Sequence, residues 1–119
     1  MKILGIDDDE EINELLKVVL KAEGYNYTNV NNGKEGLQLI REKKFDVVLL
    51  DIAMPEFSGI DVVNALLKED LLKKQTVIFF TASAIPEEII EKMLSQGVHT
   101  CLRKPVELDT LLGTLERLS

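Results

Sequence analysis

Four places in the chain hold side chains able to do chemistry. Asp7-Asp8-Asp9-Glu10-Glu11 is an unbroken run of acids near the start; Asp51, Thr81 and Lys104 follow singly, the last before Pro105. Hard oxygen ligands at this density suit Mg²⁺, which takes one or two carboxylates and keeps waters or phosphate oxygens as its other ligands. Without a cation, clustered carboxylates repel one another and at least one pKa rises. A carboxylate is also a nucleophile toward phosphorus, giving an aspartyl phosphate. That reaction needs charge neutralisation more than acid–base help. Mg²⁺ and a lysine supply it, and a hydroxyl can hydrogen-bond a phosphoryl oxygen. A lone Asp after a strand is usually a turn former or a helix cap. The set is harder to dismiss, because three of its members follow continuous apolar runs and Lys104 follows a weaker strand candidate.

Those runs predict the elements. Ile3–Ile6, Val47–Leu50 and Val77–Phe80 are short and continuously apolar, which suits strands covered on both faces. Weaker strands are expected at Tyr25–Val30, polar enough for a sheet edge, and at Thr100–Arg103. Helical periodicity fills the gaps. Ile12, Leu15, Leu16, Val19 and Leu20 make one apolar face, with Gly24 as a stop. A second helix begins near Gly33 and carries Leu37, Leu39 and Ile40. Ser58 can cap a third through Ile60, Val63, Leu66 and Leu67. Pro86 suits the first turn of a fourth, carrying Ile89, Ile90, Met93 and Leu94 and ending at Gly97. Leu108, Leu111, Leu112 and Leu115 share a face in the last. The pattern is βα five times over, which predicts an α/β fold: a doubly wound parallel sheet with helices on both faces. Ligands in such folds bind beyond the carboxyl ends of the strands, where all four chemical groups fall.

Composition bounds the rest. The 119 residues fit one domain, 1–119, and the 45% hydrophobic and 29% charged content is that of a globular chain. The net charge is −7, and no Lys/Arg cluster exceeds the pairs Lys43-Lys44 and Lys73-Lys74, which argues against nucleic-acid binding and electrostatic membrane attachment. No apolar stretch approaches the roughly 18 residues of a spanning helix. The single cysteine, Cys101, cannot form an internal disulfide, so a cytoplasmic location is expected. Cys101 itself is expected to be a small buried residue of the last strand. His99 has no partners at ligand spacing and is expected at the surface or in a turn.

Ile6-Asp7-Asp8-Asp9, Leu50-Asp51-Ile52-Ala53-Met54-Pro55 with Gly59, Phe80-Thr81-Ala82 and Lys104-Pro105 occur in this order at successive strand ends. With these motifs the whole chain resembles a receiver domain of a two-component response regulator, of the single-domain chemotaxis type. The resemblance implies a flavodoxin-like sheet of order 2-1-3-4-5. It makes Asp51 the phosphoryl acceptor, Asp8 a direct Mg²⁺ ligand and Asp7 a ligand through water, with Asp51 and the backbone carbonyl of Ala53 completing the metal contacts. Lys104 would pair with the phosphoryl group, and the Lys104–Pro105 peptide would be cis. Thr81 would move toward a phosphoryl oxygen, for which the small Ala82 leaves room. The donor would be a phosphohistidine on a sensor histidine kinase or histidine phosphotransfer protein. The output would be an unidentified downstream protein, bound through the last two helices and the strand between them. Such a domain catalyses only its own phosphorylation and dephosphorylation.

The sequence departs from the family pattern at Cys101, where many receivers carry Tyr or Phe, and at Ser58, where Asp is frequent. Ala53 and Ser83 occupy positions that tune phosphoryl lifetime in the family. Glu10 and Glu11 fit a helix N-terminus, where negative charge is favourable; the role of Asp9 stays open. A first Met and an end at the last helix fit a single-domain protein, the alternative being an N-terminal receiver from a longer regulator with a DNA-binding or enzymatic effector. Three other readings fit less well. A haloacid-dehalogenase-type phosphatase would share the Asp-x-Asp spacing but needs a cap, and a flavodoxin would not place acids at its phosphate loop. A receiver that no longer takes phosphate would not keep the full set of site residues.

Overall fold

The structure, a computed structural model, describes residues 1–81, 84–105 and 107–119, and only the backbone of Thr81. Five strands alternate with five helices: β1 (Lys2–Ile6), α1 (Glu10–Ala22), β2 (Asn26–Val30), α2 (Gly33–Glu42), β3 (Val47–Asp51), α3 (Gly59–Lys68), β4 (Thr76–Thr81), α4 (Glu87–Gln96), β5 (Thr100–Arg103) and α5 (Leu108–Leu118). A 3₁₀ turn, Leu72–Lys74, leads into β4. All pairings are parallel, in the order β2-β1-β3-β4-β5. The polar β2 lies at one edge, as expected, because a strand with one neighbour need not be apolar on both faces.

Alternation along the strands divides the core in two. Leu4, Ile6, Val48, Leu50, Val77 and Phe79 meet Leu37 and Ile40 of α2, Val62, Val63 and Leu66 of α3 and Met93 of α4. Ile3, Val47, Leu49, Ile78 and Phe80 meet Leu16 and Leu20 of α1 and Leu111 and Leu115 of α5. Each fully buried Leu or Ile contributes about 1.5–3 kcal/mol, so both faces hold the sheet rigidly beneath its carboxyl edge.

Helix boundaries follow the expected caps. Ser58 Oγ accepts from Asp61 N at 3.2 Å, and Asp61 Oδ2 accepts from Ser58 N at 2.9 Å, a reciprocal capping box. Pro86 stands at the N-cap of α4, one position before the first turn, and Gly97 ends that helix.

Several expectations need correction. In α1 the buried residues are Asn13, Leu16 and Leu20, whereas Leu15 is 49% exposed. Ile12, Leu16 and Leu20 pack on the sheet as expected, and Asn13 is buried with them, its Nδ2 donating to the backbone oxygen of Asp7 at 2.8 Å. Leu67 and Leu94 are likewise exposed at the margins of their helix faces. Cys101 lies in β5 as expected but is only half-buried, since β5 is an edge strand with one neighbour. Burial raises its thiol pKa, with Arg103 opposing and Glu87 assisting. His99 is exposed, as expected.

Candidate functional site

Asp7 follows β1 directly and Asp51 ends β3, so adjacent parallel strands bring the two carboxylates together at the carboxyl edge. Both are buried, at 3% and 4% exposure, whereas Asp8 faces solvent. Lys104 reaches over from the end of β5. Its Nζ lies 3.0 Å from Asp7 Oδ2 and 3.5 Å from Asp51 Oδ1. Asp7 Oδ1 accepts from Asp9 N at 2.9 Å, and Asp51 Oδ1 accepts from Ala53 N at 3.3 Å. The Lys104–Pro105 peptide is cis, as the resemblance implied.

Two buried carboxylates sharing one lysine leave an excess of negative charge. Burial first, and the charge of Asp7 second, push the Asp51 carboxyl up to about 7, against the pull of Lys104 and the Ala53 N–H. Burial would lower the Lys104 ammonium; its hydrogen bond to Asp7 and the charges of Asp51 and Asp7 outweigh that and raise it. Asp51 is thus a carboxylate short of positive charge, the condition a cation relieves.

Asp7, Asp8 and Asp51 each offer a carboxylate oxygen, and these atoms lie within 4.8 Å of one another. Opposite ligands of an octahedral Mg²⁺ stand about 4.2 Å apart, so an ion fits with small adjustments or with one acid bound through water. The chemistry of the donors, all hard oxygens, suits the same ion. Of the other residues expected near the site, Ala53 lies in the exposed loop two residues beyond Asp51. The Thr81 backbone ends β4 opposite Arg103. The Thr81 side chain, Ala82 and Ser83 lie outside the described residues.

Asp9 does not join the cluster. Its Oδ1 accepts from Glu11 N at 3.0 Å and Ile12 N at 3.4 Å, capping α1 with Glu10 and Glu11 in the first turn. Two supporting residues carried no role in the sequence reading. Asn13 holds the Asp7 backbone, and its only signal was a polar residue three positions before Leu16 on the buried stripe. Gly59 appeared there only as part of a motif. A Cβ on it would stand 2.3 Å from the backbone oxygen of Asp51, so the start of α3 packs directly on the Asp51 main chain. Gly59 N also donates to Ile52 O at 2.9 Å.

Residues 3–116 match the family model of the response regulator receiver domain. The chain is a response regulator receiver domain. It is 36% identical over 114 residues to the transcriptional regulatory protein YkoG of Bacillus subtilis, covering 95% of this chain and 48% of YkoG. The receiver therefore spans about half of that relative's length. It is 33% identical over 116 residues to the polar-differentiation response regulator DivK of Brucella anthropi, covering 97% of this chain and 94% of DivK. The crystal structure of the response regulator TrrA of Thermotoga maritima, in complex with Mg²⁺-BeF, superposes with a TM-score of 0.83 at 30% identity, covering 99% of this receiver and 98% of that chain. Receiver relatives thus include proteins of nearly this length and proteins twice as long.

Proposed function

We propose that this receiver domain accepts a phosphoryl group on Asp51 and thereby switches the binding of a partner protein. The observation that carries the reading is the placement of two buried carboxylates and a lysine at one sheet edge, with Asp51 pushed up to about 7. One oxygen of Asp51 attacks phosphorus of a phosphohistidine; the P–N bond breaks and the imidazole leaves with its electron pair. Asp7, Asp8, Asp51 and the carbonyl of Ala53 would hold Mg²⁺, which when bound neutralises phosphoryl charge. Mg²⁺-BeF in TrrA supports that choice of ion. Lys104 gives up its contact with Asp51 and pairs with a phosphoryl oxygen. Thr81, at the end of the neighbouring strand, donates its hydroxyl to another.

The domain is a reagent in this chemistry rather than a turnover enzyme: it forms and loses its own acyl phosphate. Phosphorylation shifts a two-state equilibrium, and the partner binds one state more tightly. The donor is a sensor histidine kinase or a histidine phosphotransfer protein. We place the chain in the cytoplasm on its lone cysteine; among the described residues no helix is long and apolar enough to cross a membrane. A second reading, a receiver that passes the signal to an effector on the same polypeptide, draws support from the half-length coverage of YkoG. In either case the phosphoryl chemistry is the same.

The test is intact mass after incubation with Mg²⁺ and acetyl phosphate. The wild-type chain is expected to gain one phosphoryl group and Asp51→Asn none. An adduct that persists in Asp51→Asn, or no adduct on the wild type, overturns the assignment. Turnover of many phosphate esters per molecule would instead make the protein a phosphatase.

A further inference from the structure

Tyr27 lies in the middle of β2, opposite Ile3 of β1. Its ring runs along the sheet toward the carboxyl edge and passes over Gly5. A Cβ built on Gly5 would stand 2.0 Å from Tyr27 Oη and 2.7 Å from Cζ. Only a residue without a side chain at position 5 lets the phenol through. Gly5 and Asp7 alternate onto the same face of the strand, so the hydroxyl is delivered beneath Asp7. There it is sealed from solvent and has no hydrogen-bond partner among the described residues. Burial first, and the charge of Asp7 second, raise its pKa, so the group keeps its proton and remains a donor.

An unpaired acceptor lies on the same face. Asn13 of α1 is 2% exposed and spends its amide N–H on the backbone oxygen of Asp7, while its Oδ1 has no donor among the described residues. The third such atom among the described residues, Gln96 Oε1, belongs to α4, which packs on the opposite face. Buried polar atoms are rarely left unmatched. Here a stranded donor and a stranded acceptor both adjoin the strand that ends in Asp7.

We propose that Tyr27 is a positioning residue of the acidic site: its hydroxyl donates through one buried water to Asn13 Oδ1 and locks the amide that holds the Asp7 main chain. An amide accepting at oxygen and donating at nitrogen has one orientation. Asp7, whose carboxylate meets Lys104, is thereby held from behind as well as from the front. Gly5 and Tyr27 form a matched pair, the first making room for the second. The effect on the metal rests on the reading of Asp7 as part of a Mg²⁺ site; the pairing itself does not.

Tyr27→Phe keeps the ring and removes the donor. Three measurements on the full chain follow: thermal melting without metal, the NMR signals of the Asn13 side-chain amide, and calorimetric titration with Mg²⁺. Melting is expected to fall, because Asn13 Oδ1 loses its partner; a hydroxyl with no partner would instead be a burden whose removal raises it. The Asn13 amide signals are expected to shift and Mg²⁺ affinity to drop by about tenfold, the low end for groups that orient a metal ligand. Gly5→Ala, which pushes the hydroxyl aside and keeps the tyrosine, is expected to reproduce the Asn13 change. Unchanged Asn13 signals or a raised melting temperature in Tyr27→Phe overturn the pairing. Shifted Asn13 signals with unchanged Mg²⁺ affinity overturn the positioning role. If the wild type binds no Mg²⁺, the reading of the acidic site fails instead, while the Asn13 signals still decide the pairing.

Discussion

Asp51 is held in its position at a cost to the metal-free domain. A carboxyl whose pKa is higher in the folded chain than in the unfolded one binds extra protons when folded. Its stabilising contribution is complete at low pH and is lost as pH rises from its ordinary 3.8 to about 7. Asp51→Asn is therefore expected to flatten the pH dependence of melting over that window. It should also raise the metal-free melting temperature at pH 7 by roughly 4 °C, the shift for about 1 kcal/mol in a domain of this size. A thermal melt of both proteins from pH 4 to pH 8 checks this. Gly59 makes the opposite point. Gly59→Ala would press a Cβ against the Asp51 backbone at 2.3 Å, and backbone has no easy escape. The expected cost is roughly 1–3 kcal/mol by denaturant unfolding, with slower adduct formation at Asp51 in the mass assay. The sequence contains both residues plainly. What it does not contain is the distance between the start of α3 and the end of β3.

At the scale of the element, the acid run near the N-terminus divides into two jobs. Asp7 and Asp8 lie at the strand end with Asp51, while Asp9 turns the other way and caps α1. Five like residues in a row do not announce that division; the point at which the backbone leaves the strand and enters the helix does. Asp9→Ala is expected to lose about 1 kcal/mol of stability, and Asp9→Ser, which keeps a capping oxygen, only a few tenths. Mg²⁺ affinity in Asp9→Ser should stay near that of the wild type, because the Asp9 side chain is turned to the cap of α1. Urea unfolding and a Mg²⁺ titration on both variants measure the two effects. A large loss of affinity in Asp9→Ser would return Asp9 to the site. Helix α1 also shows that periodicity can find both the element and its face yet overreach at the margin: Ile12, Leu16 and Leu20 pack on the sheet, while Leu15 faces solvent. At 100° per residue, the step from Leu15 to Leu16 moves a side chain from solvent to core. The packing of Leu16 and Leu20 on the sheet sets the rotation, and the hydrogen bond from Asn13 to the Asp7 backbone satisfies the polar residue turned inward with them.

For the whole molecule the governing quantity is where the charge sits. Five of the 21 acids lie between Asp7 and Glu11, and without them the net charge of −7 would be −2. The rest of the surface is close to balanced, with pairs such as Arg41–Glu69 and Arg103–Glu87, both at 2.6 Å. Exposed pairs of this kind add little, because solvent screens them. A divalent cation bound at the acidic edge acts on the folded chain alone and stabilises it by about 2.7 kcal/mol at a hundred times its dissociation constant. Because protons compete for Asp51 below about 7, the rise in melting temperature on adding Mg²⁺ should be larger at pH 8 than at pH 5. A thermal shift series at the two pH values checks it. Equal shifts would mean that Asp51 does not take part in holding the ion.

Sequence alone determined the order of elements, the parallel sheet and the edge where the acids and Lys104 gather. Those follow from local quantities: apolar runs, 3.6-residue periodicity, and polar residues placed directly after strands. The motif set Asp7-Asp8, Asp51, Thr81 and Lys104-Pro105 carried the family as well. Tertiary structure decided what depends on contacts between distant segments. It turned Asn13 inward and Leu15 outward, separated Asp9 from its acidic neighbours, left Cys101 half-buried on an edge strand, and set Gly59 against Asp51 and Gly5 against Tyr27. Each of these is a packing choice between surfaces that local propensity leaves equivalent, and only close packing of one strand or helix on another tells them apart.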